Sequence, residues 1–377
     1  VQLTVSQNRT TVDSTWYIGR GKINELTNLV SELKTDLLIF NAELTPSQVR
    51  NIENAVKCRV IDRTQLILDI FAGRANSREG KIQVELAQLN YLLPRLTGHG
   101  ISLSRLGGGI GTRGPGETKL ETDRRHIKRK INSLRRQLKE IDKGRSLYRE
   151  RRERNEVFKI VLVGYTNAGK STILNMLTSA EVVACDKLFA TLDPTTRKLN
   201  LTGYGEIILT DTVGFIQDLP HELIAAFKST FQEVAGADLL LHIVDASDPN
   251  RKQQIAVVEQ LLREMDASQI PRITVYNKKD LIDNYIIDDV ANHIFISAFD
   301  PDDREALISF IATHLKQNRR YYTFIIPENR GDLLALIQNR SLSPAKIIYD
   351  EEEQAWSVTA ELSEKVVTGD LLKYQQE

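Results

Sequence analysis

The chain has 377 residues, 41% hydrophobic and 27% charged, enough apolar material to pack two or three domains. No run approaches the roughly 18 apolar residues that cross a bilayer and no signal-like stretch opens the sequence, so a helical membrane span is excluded and a cytoplasmic protein is expected. Fifty Lys and Arg balance fifty Asp and Glu, an average that argues against a nucleic-acid partner. That average hides an asymmetry: residues 119–154 hold fifteen basic and six acidic side chains, +9 against −9 for the remainder. Cys58 and Cys185 lie far apart without metal-ligand spacing and read as buried thiols of a reduced compartment. The chain opens on Val1 rather than Met, so residues before it are expected.

In chain order, residues 1–76 read as an α/β domain. DLLIF (36–40) and CRVID (58–62) suit buried parallel strands, and between them Thr45 caps a helix with Pro46 at its first position. Residues 77–155 read as a long antiparallel helical hairpin. One helix carries Val84, Leu86, Leu89, Leu92, Leu93 and Leu96, and a second, from 119, carries Leu120, Ile127, Ile131, Leu134, Leu138 and Ile141. Between them residues 98–116 hold eight glycines and Pro115, a tip loop. Residues 156–317 alternate strands (FKIVLVG, EIILTD, DLLLHIVDA, RITVYN, IFISA) with helices, which predicts a doubly wound, mostly parallel α/β sheet. Residues 318–377 read as a small α+β domain ending in a helix.

GYTNAGKS, Gly164–Ser171, matches the phosphate-loop pattern and stands where the chemistry needs it, after an apolar strand and before a helix. Amides from Asn167, Ala168, Gly169, Lys170 and Ser171, with Thr172 beyond, are expected to converge on phosphate at the helix N-terminus. Lys170 should reach the β- and γ-phosphates and the Ser171 hydroxyl should ligate Mg²⁺. In DTVG, Asp211 is placed to support Mg²⁺ through its coordination sphere, and the Gly214 amide to sense the γ-phosphate. In NKKD, Asn277 to Asp280, the Asp280 carboxylate can pair with guanine N1 and N2, Lys278 flanks the base, and Asn277 ties this loop to the phosphate loop. Ser297 and Ala298 are placed to offer amides to guanine O6. Each short motif is weak alone; four in order, each ending a strand, predict a P-loop GTPase domain.

The order and wording of these motifs resemble the HflX family of the translation-factor-related GTPases. GGGIGTRGPGETKLETDRR, LFATLDPTTR, WYIGRGK, LILDIFAGRA, QVELAQLNYLLPRL and SLSR carry the resemblance over nearly the whole chain. It implies a GTPase that binds the large ribosomal subunit and separates stalled or stressed ribosomes, acting as a monomer. LFATLDPTTR then corresponds to the first switch, with Thr191 the expected ligand of Mg²⁺ and γ-phosphate, and Thr195 and Thr196 as alternatives. Lys170, Thr191 and Gly214 are the catalytic set on this reading. Phe215 stands where Ras-like enzymes place a water-orienting Gln, which predicts slow intrinsic hydrolysis. Asn167 resembles the asparagine of K⁺-dependent GTPases, so K⁺ is a candidate second cation.

The basic helix, with KRK (128–130), RR (135–136) and RRER (151–154), predicts salt-sensitive RNA contact. Arg105, Gly107, Gly108, Gly109, Arg113, Arg124, Arg125, Lys128 and Arg129 are the candidate contacts at and near the tip. The tip lacks a leading strand, so it is a poor second nucleotide site; by the resemblance it reaches toward the peptidyl-transferase centre. Two rival readings remain at this level: a signalling GTPase with a protein target, and an RNA-binding module whose nucleotide site is regulatory.

Overall fold

The computed structural model describes residues 1–96, 115–154, 158–178, 189, 191–201, 205–217, 233–282, 292–317, 319–341, 344–351, 353–363, 367 and 369–376. By its contacts the chain divides into two compact units, one containing Val1–Arg145 and the other Ser146–Gln217 with Thr230–Glu377.

In the first unit α1 (Arg20–Leu33), β1 (Leu37–Phe40), α2 (Pro46–Val56) and β2 (Arg59–Asp62) form a small α/β layer in which the two strands pair in parallel. Thr45 and Gln48 close a reciprocal capping box at the start of α2, with Pro46 as its first residue. Ile23, Leu26, Val30, Phe40, Leu44, Ile52, Val56 and Val60 make the core. Cys58 packs half-buried against that core, and burial raises its thiol pKa; Cys185 lies outside the described residues.

Asp62 ends β2 and caps α3 (Arg63–Arg74), accepting from the Gln65 amide at 2.8 Å. Its fully buried carboxylate also takes the Leu44 amide (3.1 Å), the Tyr91 hydroxyl (2.8 Å) and the Arg95 guanidinium (3.2 Å). Tyr91 and Arg95 lie on α4 (Arg78–Arg95), so one buried charge, satisfied by four donors, fixes that helix to the α/β layer. Burial, followed by the negative charge of Asp62, raises the Tyr91 pKa, keeping the phenol protonated as a donor.

The helix α5 (Pro115–Arg154) is 40 residues long and begins four residues before the expected start. Pro115 and Gly116, assigned above to the tip loop, belong to its first turn, where proline loses no hydrogen bond. Ile82, Leu86, Leu89 and Leu93 of α4 pack with Ile127, Ile131, Leu134, Leu138 and Ile141 of α5, the three- and four-residue spacing putting each set on one face. Leu92, expected on the α4 seam, is instead exposed. Residues 97–114, and with them most of the tip, lie outside the described residues.

In the second unit a six-stranded sheet has the order β4 (Thr195–Leu201), β5 (Gly205–Asp211), β3 (Lys159–Gly164), β6 (Leu239–Asp245), β7 (Arg272–Asn277) and β8 (His293–Phe295). All neighbours are parallel except β4 and β5. The edge strand β4 is a correction to the sequence reading, which placed its first residues, Thr195–Arg197, in the switch segment LFATLDPTTR and named no strand there. Its inward Leu199 and Leu201 alternate with Arg197, Lys198 and Asn200, a polar-biased pattern suited to an edge. α6 (Lys170–Thr178), α7 (Arg251–Glu264) and α8 (Pro301–Gln317) complete this layer. β3 lies at its centre, with Ile160 to Val163 fully buried.

The C-terminal segment forms an antiparallel sheet, β10 (Lys346–Asp350), β11 (Ala355–Ser363), β9 (Arg319–Pro327) and β12 (Gln375–Gln376), covered by α9 (Gly331–Arg340). The expected terminal helix is absent from the described residues. A short 3-10 turn, Leu371–Tyr374, buries Leu371 in that core and leads into β12, which pairs with β9.

Candidate nucleotide site

The phosphate loop is held by two glycines that no other residue could replace. Gly164 has φ +157° and a Cβ there would collide with the Ile243 carbonyl of β6; Gly169 has φ +96° and a Cβ would strike the Asn277 amide group. Asn167 between them takes the left-handed conformation at φ +65°. Asn277, buried at the end of β7, donates from Nδ2 to the Ala168 carbonyl at 2.9 Å and accepts at Oδ1 from the Ala298 amide at 3.1 Å. It therefore braces the loop, the role expected of it. α6 starts at Lys170, so its first turn presents backbone N–H groups to the loop.

Lys170, Ser171, Thr191 and Asp211 converge. The Ser171 hydroxyl donates to Asp211 Oδ2 at 2.6 Å and lies 2.7 Å from Thr191 Oγ1. Thr195 and Thr196, the alternatives to Thr191, belong to β4, where Thr196 meets Thr210 instead. The buried Phe189 and Leu192 flank Thr191 in sequence and anchor the segment that carries it. Lys170 Nζ donates to the carbonyls of Tyr165 (2.9 Å) and Gly164 (3.2 Å). Burial lowers its pKa to about 8, opposed by the negative charge of Asp211, and burial raises the Asp211 pKa, opposed by Lys170.

Asp211 is fully buried, and its Oδ1 has no hydrogen-bond partner among the described residues. A buried anionic oxygen beside two hydroxyls is the donor chemistry that a hard divalent cation takes up. The residues present therefore fit Mg²⁺, and Ser171, Thr191 and Asp211 are the side chains that would hold it.

Past Asp211 the chain follows the phosphate loop closely. Phe215 donates to the Gly164 carbonyl at 3.0 Å and accepts from the Thr166 amide at 2.8 Å, extending the β3–β5 pairing beyond the strands. Gly214 is crowded: a Cβ there would stand 2.8 Å from Thr166 Cα and Cγ2, and 3.1 Å from Lys170 Nζ. The Phe215 ring is buried, so the position that carries a polar side chain in Ras-like enzymes here carries packing.

At the base end, Lys278 is left-handed (φ +65°) and its ammonium meets Asp245 at 2.6 Å. Asp280, the expected base-reading carboxylate, is exposed. In the next loop the Ser297 amide donates to Asp303 (2.7 Å) and the Ala298 amide to Asn277, so both amides expected to face guanine O6 are engaged within the protein.

Family models match along the chain: GTP-binding GTPase N-terminal over residues 1–72, GTP-binding GTPase Middle Region over 74–152 and 50S ribosome-binding GTPase over 159–278. The GTPase HflX of Alkalihalophilus pseudofirmus is 50% identical over 356 residues, 94% of this chain and 84% of its own length. That of Escherichia coli is 44% identical over 324 residues, 84% of this chain and 76% of its own. The chain belongs to the HflX family of GTPases. A GTP-binding protein from Sulfolobus solfataricus, solved with GDP, is 25% identical with a TM-score of 0.45, covering 82% of this chain and 89% of its own. As an HflX-family GTPase the chain binds GTP and GDP and hydrolyses GTP.

Of the residues predicted to touch RNA, this HflX-family chain shows four. Lys128 and Arg129 are exposed, Arg125 is exposed beside Glu121 at 3.5 Å, and Arg124 is half-buried with its Nε lacking a partner among the described residues. Arg105, Gly107, Gly108, Gly109 and Arg113 lie outside the described residues. Lys130 pairs with Glu85 of α4, whereas Lys128, Arg129, Arg135 and Arg136 are exposed and make no ion pair among the described residues. Sequence reasoning missed Asp62 and Thr166; the first had no motif, and the second occupies a variable position of the phosphate-loop pattern.

Proposed function

We propose that this HflX-family GTPase binds the large ribosomal subunit in a GTP-dependent manner and splits or rescues stalled ribosomes. The observation that carries the reading is the charge of α5: exposed Lys128, Arg129, Arg135 and Arg136 with no ion pair among the described residues, on a helix that leads out of a glycine-rich segment. Unneutralised cations on an extended helix are what a phosphate backbone recruits. The match of residues 159–278 to the 50S ribosome-binding GTPase model supports the same partner. In this reading residues 1–76 and 77–155 form the RNA-facing part, with loop 98–116 directed toward the peptidyl-transferase centre. Residues 156–317 are the switch and 318–377 an accessory domain.

Magnesium, when bound, neutralises charge on the β- and γ-phosphates. Ser171, Thr191 and Asp211 would hold it, Lys170 would bind phosphate, and Asn167 is the residue at which K⁺ would add positive charge. Loss of the γ-phosphate frees the Thr191 and Gly214 segments and weakens ribosome binding. Phe215 offers no group to polarise water, so the large subunit accelerates hydrolysis. Sedimentation of intact ribosomes with the protein and GTP, a non-hydrolysable analogue or GDP tests this. Binding and subunit separation are expected with GTP or its analogue, and hydrolysis is expected to rise with large subunits and to be faster in K⁺ than Na⁺. No association in any nucleotide state would rule the ribosome out and favour a protein target.

A further inference from the structure

With Phe215 buried in place of a water-orienting amide, the site needs another polar group near the terminal phosphate. Thr166 supplies one. Its side chain is buried, at 6% exposure, yet Oγ1 has no hydrogen-bond partner among the described residues. Buried hydroxyls are almost always satisfied, and one that is not points to a ligand when it lies in a binding site. The surroundings supply that site. One point built off Gly214 lies 2.8 Å from Thr166 Cγ2 and 3.1 Å from Lys170 Nζ, so the Thr166 side chain stands beside the ammonium that grips the phosphates and the glycine that senses the last one. The backbone amide of Thr166 is already committed to the Phe215 carbonyl at 2.8 Å. Its methyl is packed against Gly214. Only the hydroxyl is left to act.

We propose that the Thr166 hydroxyl contacts the terminal phosphoryl group of GTP, donating a hydrogen bond to an oxygen of that group as it is transferred to water. The hydroxyl is not consumed. The water oxygen forms a bond to phosphorus, the bond from phosphorus to the β–γ bridging oxygen breaks, and the water's protons end on phosphate and solvent. Charge accumulates on the transferring group and the leaving oxygen, so a donor fixed beside them stabilises the transition state more than the product complex.

The test uses the full chain with Thr166→Val, which keeps the branched shape and the methyl against Gly214, and Thr166→Ser, which keeps the hydroxyl. Three quantities are measured: affinity for GDP, affinity for GDP with aluminium fluoride, and single-turnover hydrolysis of GTP. For Thr166→Val we expect GDP affinity within about twofold of wild type, while hydrolysis and GDP–aluminium fluoride affinity both fall by about tenfold or more, the range expected for losing one transition-state donor. Thr166→Ser should recover most of both. Unchanged hydrolysis and fluoride-complex affinity in Thr166→Val would overturn the proposal. So would a loss of GDP affinity by the same factor, which would make Thr166 a packing residue. If Thr166→Val does not fold, Thr166→Ala against Thr166→Ser carries the same contrast.

Discussion

Two sets of cations divide the labour in this molecule, and their surroundings are opposite. Lys170 is buried, donates to two backbone carbonyls and faces a buried carboxylate, and burial, opposed only in part by Asp211, brings its pKa down to about 8. Lys128, Arg129, Arg135 and Arg136 stand in water on α5 with no ion pair among the described residues. A charge held out of water is specific, because one ligand in one geometry must repay its desolvation. A charge left in water is cheap and nearly interchangeable with its neighbours, and it acts through the sum of a field. On the proposed function, the same residue type serves recognition of one nucleotide in one region and of a long polyanion in the other.

The contrast breaks most visibly at Lys170. Lys170→Ala should weaken GDP and GTP binding by about a hundred- to a thousandfold, since it removes charge-assisted contacts to two phosphates from a water-poor site. Titration calorimetry would show it; a loss under tenfold would mean that the buried amine is not the phosphate ligand.

The buried sheet offers a second, smaller test. His242 on β6 is held neutral by burial and by the positive charges of Arg272 and Lys170, its pKa lowered to about 3. The unfolded chain takes up that proton near pH 6.5 and the folded chain does not, so stability is intact above 6.5 and is lost as pH falls toward 3. At pH 4 the loss should amount to about 3 kcal/mol, and urea melts of His242→Leu should show a correspondingly shallower acid limb. Equal limbs in both proteins would place the acid sensitivity elsewhere.

On α5 the effects should be small one at a time. Replacing any one of Lys128, Arg129, Arg135 or Arg136 by Gln should lower the salt-dependence slope of RNA binding by roughly 0.7–0.9. The four together should remove most binding while GDP affinity stays unchanged. A single substitution that abolishes binding would overturn the additive picture.

What the sequence disclosed follows from the kind of constraint involved. Gly164, Gly169, Lys170, Ser171, Asp211 and Asn277 are legible because backbone geometry and phosphate chemistry fix both residue type and spacing, and the structure brings all of them together. Thr191 is one of three nearby threonines; its contact with Ser171, and the strand pairing that places Thr195 and Thr196 in β4, separate them. The edge strand itself escaped because its polar residues read as loop, and the C-terminal helix was expected where a short turn and strand pairing close the core. The Asp62 network joins residues 33 positions apart and carries no local signal. Thr166 was overlooked for a similar reason: its significance lies in a buried oxygen without a partner, a property of packing.

The measurement that bears most directly on the account is large-subunit binding across a salt series, with a non-hydrolysable GTP analogue and with GDP, for the wild type and the fourfold α5 variant. The account predicts tight, steeply salt-dependent binding with the analogue, weaker binding with GDP, and a flattened, weakened curve for the variant with its nucleotide affinity intact. Binding that is insensitive to salt, or identical in the two nucleotides, would contradict it.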